Sequence, residues 1–450
     1  MKFQWIFSKL RPNFVSSLEY TITTFLSLIG VTYFALLQAI QKPCCDAVSY
    51  LNYGSSLLSN SFLIPPTENQ PSDLRTFVYP VFLAWVIRIA KLLLIEPVIL
   101  ITIIQTVIYF LSATFLASKL HSKRLKVPRN IWIALMLNVF IWPYLSSTLT
   151  DSIYVSLFLL FLGICTEIYK KLEIDSGSIY LNTFYLVFCF AIMLELRPAS
   201  IWLAPILTYL IYLQLKKHRN SISKQMIAIF FGLTPVFYQI YINLYLFSKF
   251  SPFPATNLGA MQINWGIKYL KYITWLGGGE PQGIYSSQEL VGKVAENLTL
   301  NWYFENPLLS VKLLYIKLIG GFDFDFLVPY PQSRPWYSAL VGVTSLAILL
   351  FGLLIIARFI FRKSRDAEKN FIPRYLPILI FMSWAAVTLI SAIELRFTLP
   401  MITFFIILIA NEGTPARGSS KRLLMKAIPL GLILLFFIRT AMYVRNQSSF

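Results

Sequence analysis

The chain is short of charge: only 13% of its 450 residues are Asp, Glu, Lys or Arg, against roughly a quarter in soluble domains. With 57% of the residues apolar, that scarcity excludes a soluble domain, whose surface would become one large apolar patch. Histidine is nearly missing. His121 and His218 both fall in basic stretches between apolar runs, so a histidine relay on the opposite membrane face is not expected. The four cysteines show no CxxC spacing. Cys165 and Cys189 sit in apolar runs, where they pack against helices or lipid, and a disulfide between the adjacent Cys44 and Cys45 would be strained. P-loops, Gly-rich dinucleotide turns, metalloprotease helices, internal repeats and low-complexity stretches are lacking too.

Basic residues outnumber acids, giving a net charge of +19. In a soluble protein this would suggest nucleic acid. Here the basic residues cluster between apolar runs, so membrane topology accounts for them and no nucleic-acid partner is expected. The first run, from Tyr20 to Ile40, exceeds a signal-peptide core and lacks a clear cleavage site, so it is read as a retained anchor. Lys2, Lys9 and Arg11 ahead of it place the N-terminus in the cytoplasm.

Ten further runs follow, at roughly 97–117, 131–146, 152–169, 179–196, 199–215, 226–247, 337–360, 374–392, 397–411 and 427–444. The expected fold class is an all-α membrane protein of about 11 transmembrane helices, with amphipathic juxtamembrane helices and two long extracytoplasmic loops. On this topology the cytoplasmic segments hold 24 of the 39 basic residues, and adding or removing an internal span breaks the alternation. Val78–Leu94 is apolar but carries Arg88 and Lys91. Reading it as a surface helix rather than a span keeps the basic run 119–129 inside.

The expected organisation is an N-terminal catalytic module, 1–247, that includes an outer loop at 41–96. An extracytoplasmic loop follows at 248–336, then C-terminal helices at 337–450. The 248–336 loop carries a turn at Gly277-Gly278-Gly279 and two helix-like stretches, Ser287–Asn297 and Asn306–Gly320. The second, with Lys312 and Lys317, reads as a helix on the membrane surface. Asn297-Leu298-Thr299 is a glycosylation triplet that matters only in a eukaryotic host.

Ionisable residues at a membrane boundary are costly and tend to be functional. Asp46 and Asp151 both fall on the expected outer face, where each can cap a helix, act as a general base or hold a cation. Arg75 can snorkel to headgroups or grip a phosphate. Arg197, in Glu195-Leu196-Arg197-Pro198, and Glu394 with Arg396 can form structural ion pairs or contact an anionic carrier. Their accumulation on one face is the informative point.

The ordered set is Asp46-(x)3-Tyr50-Leu51-(x)5-Leu57, Arg75-(x)3-Tyr79-Pro80, Leu149-Thr150-Asp151, Leu196-Arg197-Pro198 and Glu394-Leu395-Arg396-Phe397-(x)2-Pro400. It resembles the polytopic GT-C glycosyltransferases, in particular the branch of protein O-mannosyltransferases and the lipid A aminoarabinose transferase. The resemblance implies transfer of a monosaccharide from a polyprenyl-phosphate donor to a lipid, glycan or protein acceptor on the extracytoplasmic face. It implies Asp46 as catalytic base or acceptor-orienting group and Asp151 as a group binding acceptor or cation. Arg75 would lie on the carrier phosphate, with Tyr50, Tyr79, Arg197, Glu394 and Arg396 binding substrate. A divalent cation is left open, no other cofactor is implied, and a bacterial plasma membrane is expected. Ala47 stands where the family often has a second acid, and Arg-Thr-Phe where the aminoarabinose branch has Lys-Pro-Pro. A transporter or flippase is the alternative, but it calls for mid-membrane charges and inverted repeats.

Overall fold

Long apolar runs must satisfy their own backbone hydrogen bonds in a bilayer, and helices do so within one segment. The computed structural model follows that rule. It describes residues 12–40, 44–59, 75–120, 126–174, 179–217, 222–255, 258–277, 282–292, 298–361, 375–412 and 420–447. The chain packs as two units, Met1–Thr256 with Lys369–Leu376, and Asn257–Glu368 with Pro377–Phe450.

The first unit contains α1 (Ser17–Ile40), α2 (Cys45–Ser59), α3 (Val78–Leu93), α4 (Pro97–Lys119), α5 (Lys126–Met136), α6 (Trp142–Leu145), α7 (Asp151–Ile174) and α8 (Ile179–Leu196). A 3-10 turn (Pro198–Leu203) then leads into α9 (Ala204–Lys217), α10 (Ile222–Gly232) and α11 (Thr234–Phe247). Cys44 and Cys45 are joined by a disulfide ahead of α2. Helix α3 buries Tyr79, Pro80, Leu83, Ala84, Val86, Ile87 and Ala90 and leaves Arg88 and Lys91 exposed. This is the two-faced pattern its sequence predicts. Gly54 lets α2 approach α3 closely, since a Cβ there would lie 2.9 Å from Leu83 Cβ.

The second unit contains α12 (Leu258–Lys268), β1 (Tyr269–Trp275), β2 (Gln282–Ser286), α13 (Gln288–Val291), α14 (Asn301–Glu305) and α15 (Pro307–Phe322). It ends with α16 (Ser338–Phe361), α17 (Tyr375–Thr388), α18 (Leu395–Glu412) and α19 (Ser420–Asn446). β1 and β2 pair antiparallel, a hairpin the hydropathy pattern did not foretell. Of the two expected loop helices, α15 matches the second. The first is reduced to the single turn α13, and residues 293–297, which include Asn297, lie outside the described residues.

The eleven expected crossings are supported in part. Among the described residues six helices are long and apolar enough to cross a membrane alone: Ser17–Ala39, Pro97–Lys119, Asp151–Leu172, Pro198–Lys217, Ser338–Phe361 and Leu395–Glu412. The run 226–247 divides between α10 and α11, bent by 44°, and counts as a seventh span if the pair is one. The run 131–146 breaks into α5 and α6 between Met136 and Trp142, with Asn138 in the break and Pro143 in the first turn of α6. Tyr180–Leu196 and Tyr375–Thr388 are shorter apolar helices, and 427–444 lies within α19. Residues 121–125 and 218–221, with His121 and His218, and Gly278 and Gly279 lie outside the described residues.

Candidate functional site

Two Arg–carboxylate pairs stand at one end of the first unit. Asp46 occupies the first turn of α2, and its Oδ1 accepts a hydrogen bond from Arg75 Nη2. Arg75 comes just before α3, and its guanidinium lies 4.9 Å from the centre of the Tyr50 ring. Asp151 opens α7, and its Oδ1 accepts from Arg197 Nη2. Arg197 immediately precedes the 3-10 turn and stands 5.6 Å from the centre of the Tyr154 ring. The two pairs differ in access: the side chains of Arg75 and Asp46 are 19% and 24% exposed, those of Arg197 and Asp151 11% and 1%. The Asp46 pair is therefore the more accessible of the two.

Polar side chains hold the pairs together. The Thr76 hydroxyl donates to the Glu195 carbonyl, which ties the segment carrying Arg75 to the one carrying Arg197. The Tyr50 and Tyr79 rings meet edge to face, 5.0 Å apart. Burial first, then the neighbouring Tyr50 and Asp151, pushes the Tyr79 hydroxyl well above its ordinary pKa. That hydroxyl lies 3.3 Å from Gln105 Oε1, while Gln105 Nε2 donates to the Leu145 and Ser147 carbonyls, at 3.0 and 2.9 Å. The stretch that leads into Asp151 is thereby fixed from its N-terminal side. Gln239 Oε1 accepts from Phe77 N at 3.0 Å, and Gln239 Nε2 donates to Asn243 Oδ1 at 3.0 Å, fixing the start of α3.

Glu195 is a residue that sequence reasoning passed over. It was weighed only as a partner of Arg197, but Arg197 turns to Asp151 instead. Glu195 is fully buried, and neither carboxyl oxygen has a hydrogen-bond partner, nor does Asp151 Oδ2. A buried polar group without a partner is costly. The sequence did carry a signal: Gln105, Glu195, Gln239 and Asn243 are lone polar residues in apolar runs.

Glu394 and Arg396 belong to the second unit. There they pair with each other, Arg396 Nε and Nη2 donating to the two Glu394 carboxylate oxygens. The loop before them is pinned by the Tyr272 amide to the Ile393 carbonyl at 2.8 Å, the Ala392 amide to the Gln262 carbonyl at 2.8 Å, and Lys317 Nζ to the Ser391 carbonyl at 2.7 Å. The ring of Tyr272 stacks on Trp265, 5.5 Å between centres. Lys317 is fully buried and also donates to the Gly266 carbonyl at 2.8 Å. Burial pushes its ammonium well below the ordinary lysine value. Among the described residues, no group of three His, Cys, Asp or Glu is arranged to hold a metal ion.

These features define a helical, multi-pass membrane protein that concentrates Arg–carboxylate pairs at the ends of its helices. Residues 69–260 match the model of the Alg9-like mannosyltransferase family, a family of GT-C membrane glycosyltransferases. The match supports a membrane glycosyltransferase, and such a family implies a lipid-linked sugar donor with a glycan or lipid acceptor. Arg75, Tyr79, Asp151 and Arg197 fall inside the matched segment. Asp46, Tyr50, Glu394 and Arg396 fall outside it. No curated protein and no solved structure matches the chain.

Proposed function

We propose that the chain transfers a monosaccharide from a polyprenyl-phosphate donor to an acceptor hydroxyl at the extracytoplasmic face of a bacterial plasma membrane. What carries the reading is the linked pairs Asp46–Arg75 and Asp151–Arg197, three of whose four members lie in the segment matching a GT-C family. The family description names mannose, which makes a mannosyl donor the first to test.

In this reading the acceptor oxygen attacks the anomeric carbon and Asp46 takes its proton. The bond between that carbon and the phosphate oxygen breaks, and polyprenyl phosphate leaves with the electron pair. Arg75 exchanges its carboxylate partner for the phosphate and stabilises the charge that grows there, where little water competes. Asp151, held by Arg197 through one oxygen, offers its buried second oxygen to an acceptor hydroxyl or a cation. Tyr50, beside Arg75, and Tyr79, against Tyr50, are proposed as substrate contacts. Glu394 and Arg396 are proposed as further substrate contacts.

Membranes containing the chain are to be given radiolabelled mannosyl polyprenyl phosphate or GDP-mannose. Label passing to an acceptor from the lipid donor, and lost in Asp46→Asn, supports the reading. Transfer from the nucleotide sugar alone overturns the donor assignment, and full transfer by Asp46→Asn overturns the base.

A further inference from the structure

The second unit gathers three aromatic rings on one side of its hairpin. Side chains alternate between the two faces of a regular strand, so Tyr269 and Tyr272, three residues apart in β1, would point to opposite faces. Register shifts on either side of Lys271 prevent this, because an irregularity of that kind re-aims the side chains beyond it. The two rings meet edge to face, 5.2 Å between centres. Gly283 on β2 makes room for both, since a Cβ there would come within 2.8 Å of the Tyr272 ring and 3.0 Å of the Tyr269 ring. Trp265, from α12, stacks on Tyr272 with the two planes only 4° apart. The other face of the hairpin is buried, and there Lys271 Nζ and the Tyr285 hydroxyl both donate to the Asp325 carboxylate. Trp265, Tyr269 and Tyr272 stay partly exposed.

The backbone brings an ion pair to these rings. Gly266, next to Trp265, packs so closely that a Cβ there would collide with the Ile390 carbonyl oxygen. Lys317 Nζ bridges the Gly266 and Ser391 carbonyls, and the Tyr303 hydroxyl donates to the Ile390 carbonyl at 2.8 Å. The amide of Tyr272 itself holds the Ile393 carbonyl, so Glu394 is one residue away from a bond to the residue that carries a ring. The Glu394 and Arg396 side chains are 13% and 16% exposed, partly accessible like the rings. They also act on the Tyr272 hydroxyl. Burial first, then the Glu394 carboxylate, pushes its pKa up, while a hydrogen bond with Thr274 and the Arg396 guanidinium pull it down.

We propose that Trp265, Tyr269 and Tyr272, together with Glu394 and Arg396, bind one neutral hexopyranose ring of an acceptor glycan. A pyranose has a face of C–H bonds and a rim of hydroxyls. The C–H face suits the negative face of an aromatic ring. The rim needs donors and acceptors in place of the water it gives up. Arg396 supplies donors and Glu394 acceptors, and a carboxylate oxygen accepts more than one hydrogen bond, so the two need not part. A lipid tail would fit the rings but would cover the ion pair with apolar surface, which is costly. An anion would meet the Glu394 carboxylate. The site deepens the transferase reading and rests on it for the role of acceptor, because that reading assigns the donor to Asp46 and Arg75.

The test uses the full chain in phosphatidylcholine nanodiscs, with α-linked mannotriose as the sugar. Hydroxyl-radical oxidation of the tryptophans is followed by mass spectrometry. Mannotriose is expected to slow oxidation of Trp265 relative to Trp336, which is 90% exposed in the same unit; taking the ratio cancels radical scavenging by the sugar. Trp265→Ala should weaken binding of radiolabelled mannotriose about tenfold, the worth of one aromatic contact, and Trp265→Tyr should keep most of it. The oxidation experiment needs no variant and decides the matter if Trp265→Ala fails to fold. Equal slowing at Trp265 and Trp336 overturns the proposal, as does a folded Trp265→Ala that binds like the wild type. The same shielding by sorbitol, which has hydroxyls but no ring face, also overturns it. The two readings fail separately. A chain that shields Trp265 but moves no labelled mannose from either donor keeps a glycan site and loses the transferase reading. One that moves the label without shielding Trp265 loses this site alone.

Discussion

The two units handle charge in opposite ways. The first spreads it as separate pairs at helix ends, and its Asp46–Arg75 pair is partly open. The second buries Lys271, Asp323 and Asp325 in one knot, with Arg445 and Arg334 reaching it from its rim. An open pair can trade partners with a substrate. A buried knot cannot, because removing one member strands a charge where water does not reach. The first arrangement suits chemistry and the second suits holding a shape.

That contrast is easiest to break at its extremes. Asp46→Asn should lower sugar transfer by about 10²–10⁴-fold, the range of general-base catalysis, while leaving thermal unfolding nearly unchanged. Lys271→Met should do the reverse. Stranding Asp325 should cost about 3–5 kcal/mol of stability, read as a fall in unfolding temperature in detergent. A Lys271→Met protein as stable as the wild type would remove the distinction between the units. Smaller in effect, Arg75→Ala should weaken donor binding about tenfold, measured as the KM for the lipid donor. Unchanged donor affinity would end the phosphate-grip role. Tyr79→Phe removes one hydrogen bond to Gln105 and should cost about 1 kcal/mol, with transfer largely retained.

Lys317 sharpens the comparison through pH. Its folded-state pKa lies below the ordinary 10.5 because of burial. Between that lowered value and 10.5 the unfolded chain binds more protons than the folded one, so stability rises with pH across that window. The rise should be present in the wild type and absent in Lys317→Met, as read from unfolding temperature against pH.

Much of this was legible in the sequence where one residue or one period decided the matter. Charge poverty fixed the class. The charge rule set Val78–Leu94 apart from the spans, because the basic run 119–129 has to stay inside, and Arg75, Asp46, Asp151 and Arg197 stood out as charges at the edges of apolar runs. Pairing was not legible. Glu195 lies two residues from Arg197 in the chain, yet Arg197 reaches across to Asp151, because partner choice depends on how α7 and α8 pack. The β1–β2 hairpin was hidden for a similar reason. Its strands are short, and the Asp323–Asp325 knot that Lys271 and Tyr285 join comes some forty residues or more later. The count of crossings is supported only in part, because hydropathy does not show where an apolar run breaks, as 131–146 does between Met136 and Trp142.

The bend between α10 and α11 illustrates what such a break does. Pro235 has no amide hydrogen, so the carbonyl of Phe231, four residues back, loses its helical donor. The Thr234 hydroxyl supplies one in its place, at 2.5 Å. The discontinuity is mended by a neighbouring side chain and calls for no solvent inside an oily layer, so the 44° angle behaves as a fixed elbow rather than a joint. Thr234→Val would reopen the gap and turn a stiff corner into a loose one.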